Sequence, residues 1–223
     1  ASTYAIIHSF FRLVKRLFQI IMFEDKIKSL VPHFGKAKKN LYTWKELEGL
    51  LNLRPFMSSN RFHPVGTATY EWNTTGWVTE QNSWPISCVK DVLSKATAYI
   101  QDCSRVNEKI NAVCKQLEEL LSSNSDCHIY FSVDKSLPNF DKHKDSSHNL
   151  IIVADGTIRC ELWVEGGHII EKHLNNGDYV FIPAHMYHRI TPLSDKRLSL
   201  SFPIKTHKAE HYEEREWLRL DNL

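Results

Sequence analysis

A chain of 223 residues and 26.0 kDa has room for one substantial domain, or for a domain with a helical extension. Hydrophobic residues at 42% and charged residues at 24% argue against a disordered or fibrous chain, and 28 basic against 26 acidic residues, a formal charge of +2, argue against strong non-specific attraction to nucleic acid. Five cysteines without any C-x-x-C pair argue against a disulfide scaffold or a cysteine-ligated zinc site, and point to a reducing, cytoplasmic setting.

Residues 5 to 23 are rich in large apolar side chains, but Arg12, Lys15 and Arg16 interrupt them. Three charges in the centre of the run argue against a membrane span, and no small-residue cleavage site follows. Residues 1–24 are therefore read as an amphipathic helix or leader, packed on the domain or in the seam of a homodimer. Residues 25–223 are read as a single domain: a helical buttress at 25–125, a β core at 126–204 and a helical tail at 205–223. In the buttress, short amphipathic helices are expected over Trp44–Asn52, Ser87–Asp102 and Val106–Leu121, the last with Ile110, Val113, Cys114, Leu117, Leu120 and Leu121 at helical spacing. Residues Thr67–Trp72 alternate as a strand. The tryptophans at 72, 77 and 84 fall in a loop-rich stretch that packs between helices and sheet or lines a substrate cleft.

Near residue 125 the pattern changes to short β-rich runs: His128–Val133, Asn149–Ala154, Thr157–Val164, His168–His173, Tyr179–Ile182, Tyr187–Thr191 and Arg197–Phe202. Asp155-Gly156, Gly166-Gly167, Asn175 through Asp178 and Pro192 through Asp195 separate them as turns. Many short strands at close spacing predict a mainly β fold with a helical N-terminal half, a double-sheet jelly roll buttressed by helices.

The chemistry concentrates in the histidines, six of whose twelve lie between His143 and His188. In an extended segment His143 and Asp145 project from the same face and can reach one metal. His188, behind the turn–strand–proline run Gly177-Asp-Tyr-Val-Phe-Ile-Pro183, is the best candidate for a third ligand. Two histidines and a carboxylate on one side of a metal leave open positions on the other, the facial arrangement of non-haem Fe(II) oxygenases. The run Arg197-Leu-Ser-Leu-Ser-Phe202 alternates strictly, so Arg197 and Ser199 face away from Leu198, Leu200 and Phe202. An arginine directed into the barrel needs an anion, which a dicarboxylate chelating the metal would supply. The alternative for Arg197 is an exposed strand start paired with Asp178 or Asp195. His148 and His185 are expected beside the ligands or at the surface. His168, His173 and the run Lys36 to Lys39 are expected to be solvated.

His143-x-Asp145, His188 and Arg197-x-Ser199 resemble the signature of the Fe(II)/2-oxoglutarate-dependent oxygenase superfamily. The stretches HKDSSHNLIIVADGTIRCELW and GDYVFIPAHMYHRI are most similar to its JmjC-type, cupin-fold branch. The resemblance covers residues 128 to 203. It implies a double-stranded β-helix, Fe(II) at His143, Asp145 and His188, and oxidative decarboxylation of 2-oxoglutarate to succinate with dioxygen. It also implies that a substrate is oxidised, by hydroxylation rather than halogenation because Asp145 is a carboxylate. Asn149 stands where asparaginyl hydroxylases of that branch carry an asparagine near co-substrate and iron. Those hydroxylases bind the distal carboxylate through a lysine whose position is Ile158 here, so the role passes to Arg197, with Ser199 beside it. Tyr130 is either a second donor to that carboxylate or a core tyrosine. The primary substrate, a small molecule, amino acid or protein side chain, stays open. The competing class is a non-oxygenase metal-binding cupin: an isomerase, lyase or sensing module.

Overall fold

The strands His148–Asp155 and Asp178–Ile182 are apolar on both faces and Thr157–Trp163 and Arg197–Thr206 on one, and two sheets with a layer of helices bury those faces. The computed structural model describes residues 27–37, 39–53, 61–65 and 89–206. In chain order these form β1 (His33–Lys36), α1 (Trp44–Leu51), β2 (Phe62–Pro64), α2 (Val89–Lys95), β3 (Ala98–Ile100), α3 (Glu108–Leu121), β4 (Ser123–Ser125), β5 (His128–Ser132), β6 (His148–Asp155), β7 (Thr157–Trp163), β8 (Ile169–Asn175), β9 (Asp178–Ile182), β10 (His188–Pro192) and β11 (Arg197–Thr206). The major sheet runs β1-β9-β6-β11-β5-β3-β2, with β4 also on β11, and the minor sheet runs β10-β7-β8. All pairings are antiparallel. Among the described residues no helix is long and apolar enough to cross a membrane.

Two cores follow from the strand period of two. Leu150, Ile152, Phe181, Leu198, Leu200, Phe202 and Ile204 point to the outer side of the major sheet, where α1, α2 and α3 cover them with Leu47, Val92, Ile110, Val113 and Leu117. Ile151, Val153, Val180 and Ile182 point the other way, toward Ile158, Cys160, Leu162 and Leu174 of the minor sheet. That second core fills one end of the space between the sheets. Phe202 is fully buried on the central strand β11, so Phe202→Ala is expected to lower the unfolding free energy by about 3–5 kcal/mol in a urea titration.

Side-chain caps set where two of the helices begin. Thr43 Oγ1 accepts from Glu46 N (3.2 Å) at the start of α1, and Asn107 Oδ1 accepts from Ile110 N (2.8 Å) at the start of α3. At Gly156, between β6 and β7, φ is +79° and an added Cβ would lie 2.3 Å from the Lys196 carbonyl oxygen, so the turn requires glycine.

The N-terminal half differs from the expected helical buttress. The helix expected over Ser87–Asp102 ends at Lys95, and Thr97-Ala-Tyr-Ile100 leads into β3, where Ala98 and Ile100 are buried and Tyr99 stacks on Tyr130 at 4.9 Å between ring centres. A β-branched and aromatic run that extends an existing sheet outweighs the weaker helical pattern. Strands β1, β2 and β4, of three or four residues, also join the major sheet; Lys36 ends β1 rather than lying in a loop, and its side chain is 74% exposed, solvated as expected, while it reaches Asp178. Strand β11 runs on to Thr206, past the expected start of a helical tail. The amphipathic segment at 5–23, the strand expected at 67–72, the tryptophans at 72, 77 and 84, and the rest of the tail lie outside the described residues.

Candidate metal centre

At the end of the jelly roll not filled by apolar side chains, the segment between β5 and β6 crosses from one sheet to the other. It is tied to the minor sheet by reciprocal backbone bonds, His143 N to His188 O (3.1 Å) and His188 N to His143 O (2.8 Å), by His185 N to Asp145 O (2.8 Å), and by the Asn139 amide donating to the Ile190 carbonyl. Through the single antiparallel bridge between His143 and His188 this strap lies against β10 and brings His143 and Asp145 face to face with His188.

His143 Nε2 lies 3.8 Å from Asp145 Oδ1, and His188 Nε2 lies 3.4 Å from Asp145 Oδ2. One ligand atom from each of the three falls within 4.8 Å of the others. Ligands at about 2.1 Å on adjacent octahedral positions stand roughly 3 Å apart, so closing on a divalent ion needs movements below about 1 Å. The tautomers suit a ligand role. Each Nδ1 faces a backbone carbonyl, Asp141 O for His143 (2.7 Å) and Met186 O for His188 (3.0 Å). A carbonyl only accepts, so Nδ1 carries the proton and Nε2 presents its lone pair. Burial, with the neighbouring His143 adding to it, holds the His188 imidazole below its ordinary pKa against the opposing pull of Asp145 and the Met186 carbonyl. The Asn149 amide donates to Asp145 Oδ2 at 2.5 Å and fixes the carboxylate rotamer. Asn149→Leu is therefore expected to weaken Mn(II) binding about tenfold or more in a direct titration, with the three ligands intact.

Facing these residues across an open cleft are Arg197, Ser199, Ser201 and Tyr130. Arg197 is only 2% exposed, and among the described residues no carboxylate pairs with it. Asp178 bonds Lys36, and Asp195 lies 3.9 Å from Lys135, so neither alternative partner is used. Arg197 Nε, Ser199 Oγ and Ser132 Oγ are buried without a hydrogen-bond partner. The register places Arg197 opposite Ser132 and Ser199 opposite Tyr130, so these donors converge on one patch. Burial lowers the guanidinium pKa to about 10, which leaves it charged at neutral pH. Orphaned donors around an unpaired buried cation are costly unless an anion completes them. The donor set thus fits a carboxylate at one end of the cleft and a metal at the other.

Tyr130 lines this cleft, with the Arg197 Cζ 6.0 Å from its ring centre, and burial raises its phenol pKa. Ile158 is buried in the inter-sheet core and does not line the cleft, while Arg159 on the other face of β7 lies 3.6 Å from Glu161. His148 accepts from Ala184 N (2.9 Å), and His168, His173 and His185 are exposed. Sequence reasoning missed Asn139 and Phe140, which line the mouth from an unpatterned part of the strap, and Ser201, which the alternation of β11 does place on the Arg197 face.

No protein-family model matches the sequence, and no curated protein sequence matches it. Solved structures do. The ribosomal oxygenase YcfD from Escherichia coli, in complex with cobalt and 2-oxoglutarate, is 18% identical over 82% of this chain and 50% of that one, with a TM-score of 0.56. YcfD with cobalt and succinic acid is also 18% identical, over 80% of this chain and 49% of that one, again at 0.56. The chain spans about half the length of these YcfD chains. At this identity the likeness speaks for architecture alone, and with the sheet order above it shows that the chain carries the double-sheet jelly-roll fold of YcfD.

Proposed function

We propose that the chain is an Fe(II)- and 2-oxoglutarate-dependent dioxygenase that hydroxylates a protein side chain, an amino acid or another small molecule. The observation that carries this reading is the opposition, within one cleft, of the His143–Asp145–His188 set to the unpaired, buried Arg197 with Ser199. His143, Asp145 and His188 would hold the metal through Nε2, a carboxylate oxygen and Nε2. Asn149 orients Asp145. Arg197 and Ser199 grip the distal carboxylate of the co-substrate, with Tyr130 beside them, and Ile151 and Ile190 line the wall between the two ends and limit water. When bound, Fe(II) supplies the redox chemistry that couples decarboxylation of 2-oxoglutarate and reduction of dioxygen to insertion of one oxygen atom into a C–H bond. The products balance as succinate, carbon dioxide and the hydroxylated substrate. The likeness to YcfD, solved with cobalt and 2-oxoglutarate, supports the same reading.

The test is succinate formation from 2-oxoglutarate with Fe(II), Zn(II) or Ni(II), in air and under nitrogen. The oxygenase reading expects turnover only with Fe(II) and oxygen. Loss of 2-oxoglutarate to a non-oxidised product such as succinate semialdehyde, with Zn(II) or under nitrogen, would instead identify a Lewis-acid cupin, because succinate cannot form without an oxidant. Asp145→Glu moves the carboxylate outward by roughly 1.5 Å, one methylene, while such sites tolerate about 0.5 Å. That variant is expected to keep metal binding and to consume 2-oxoglutarate without matching product, or to lose turnover; coupled turnover at the wild-type rate would remove Asp145 from the ligand set.

A further inference from the structure

The strap alternates: His143 and Asp145 turn into the cleft, and Lys142 and Lys144 turn out over the outer face of the minor sheet. The Lys142 ammonium lies 4.5 Å from the ring centre of Trp163 and 4.9 Å from that of Tyr187, and the Lys144 ammonium lies 5.4 Å from the Tyr187 ring. Among the described residues neither lysine forms an ion pair. The arginines of this face are engaged: Glu161 accepts from Arg189 Nε and Nη2 at 2.7 Å each, and Arg159 stands 3.6 Å from the same carboxylate. Tyr187 is 45% exposed and Ile169, at the start of the edge strand β8, is 52% exposed, so apolar surface flanks the two free cations. Tyr187 also precedes His188 directly, which sets the patch at the rim of the cleft.

We infer that this face docks an acidic segment of a polypeptide substrate, whose carboxylates meet Lys142 and Lys144 while a side chain a few residues away enters the cleft. This rests on the polypeptide-substrate form of the function proposed above. At about 3.3 Å per extended residue, Lys144 and Asp145 are close enough for one short segment to reach both the outer face and the cleft mouth. The rings hold the ammonium groups by cation–π attraction and leave their outward side open to an anion. Two free lysines suit one or two carboxylates. Nucleic-acid binding draws its affinity from many phosphate contacts, and two unpaired lysines supply too few of them.

The experiment is fluorescence anisotropy of the full chain, without metal or co-substrate, against a labelled short peptide of alternating glutamate and glycine, its glutamine counterpart, and a thymidine oligonucleotide of matched length. At low salt the glutamate peptide is expected to bind about tenfold tighter than the glutamine peptide. Lys142→Glu/Lys144→Glu is expected to erase that preference and Lys142→Arg/Lys144→Arg to keep it. A Mn(II) titration of the charge-reversed variant, expected no weaker than wild type because negative charge is added beside the site, checks that the strap is intact. No preference for glutamate, a preference that survives charge reversal, or tighter binding of the oligonucleotide would each overturn the inference. Failure of 2-oxoglutarate turnover would count against the oxygenase reading alone, because the binding measurement uses neither metal nor co-substrate.

Discussion

Alanine at His143, Asp145 or His188 is expected to abolish Fe(II)-dependent turnover and to weaken Mn(II) binding by about two orders of magnitude or more. Each substitution removes one of three donors that lie within 4.8 Å of one another, and two remaining donors cannot hold the ion on one side of an open site. The effect on stability differs by position. His143 and Asp145 are about one-third exposed, so their loss costs the apo fold little. His188 is buried against β7, and its truncation leaves a small cavity. Metal titration separates ligand loss from unfolding, and near-wild-type affinity in any one variant would remove that residue from the set.

Arg197→Ala is expected to raise the dissociation constant for 2-oxoglutarate by about 10²- to 10³-fold. A charge-assisted, forked hydrogen bond in a largely dry pocket contributes on the order of 3–4 kcal/mol once broken. Lysine should recover only part of the affinity, since an ammonium cannot reproduce the fork. The apo protein should respond in the opposite sense. Burial depresses the Arg197 pKa to about 10, below its ordinary value, so the folded state holds this proton less tightly than the unfolded chain does. Below about pH 10 the guanidinium is charged in both states and the folded state bears the desolvation cost in full. Stability recovers only as pH rises through the folded pKa toward the unfolded one. Arg197→Met removes that cost, and at neutral pH it is expected to raise the apo Tm by about 2–4 °C while abolishing tight 2-oxoglutarate binding. A destabilised methionine variant that kept its affinity would contradict the anion-site role.

The legibility of the site in the sequence follows from strand periodicity. The alternation Arg197-Leu-Ser-Leu-Ser-Phe202 places leucines in the helix-side core and the arginine in the cleft, and the structure shows that division of faces. His143-x-Asp145 was readable for the same reason, as was the separation of Ile158 from Arg159 on β7. Elements held in place by distant partners were not readable. Strands β1, β2 and β4 have three or four residues and little alternation, and they exist because a sheet edge already offers them bonds. The end of the helix at Lys95 is decided by Tyr99 stacking on Tyr130, a contact across 31 positions that no local window contains. Asn139 and Phe140 reach the cleft mouth because the strap is tied to β10 by backbone bonds at His143 and by the Asn139 side-chain amide on Ile190 O, and bonds to a distant backbone leave little trace in side-chain pattern.

If one cleft binds a metal and a 2-oxo dicarboxylate together, the two ligands are coupled thermodynamically. Calorimetric titration of 2-oxoglutarate, with and without saturating Mn(II) under nitrogen, measures how far each ligand strengthens the other. Mn(II) is expected to tighten 2-oxoglutarate binding by about tenfold or more, His188→Ala to remove the enhancement, and Arg197→Ala to weaken binding whether or not metal is present. Binding of 2-oxoglutarate that is indifferent to Mn(II), or unchanged in the Arg197→Ala variant, would contradict joint binding in one cleft.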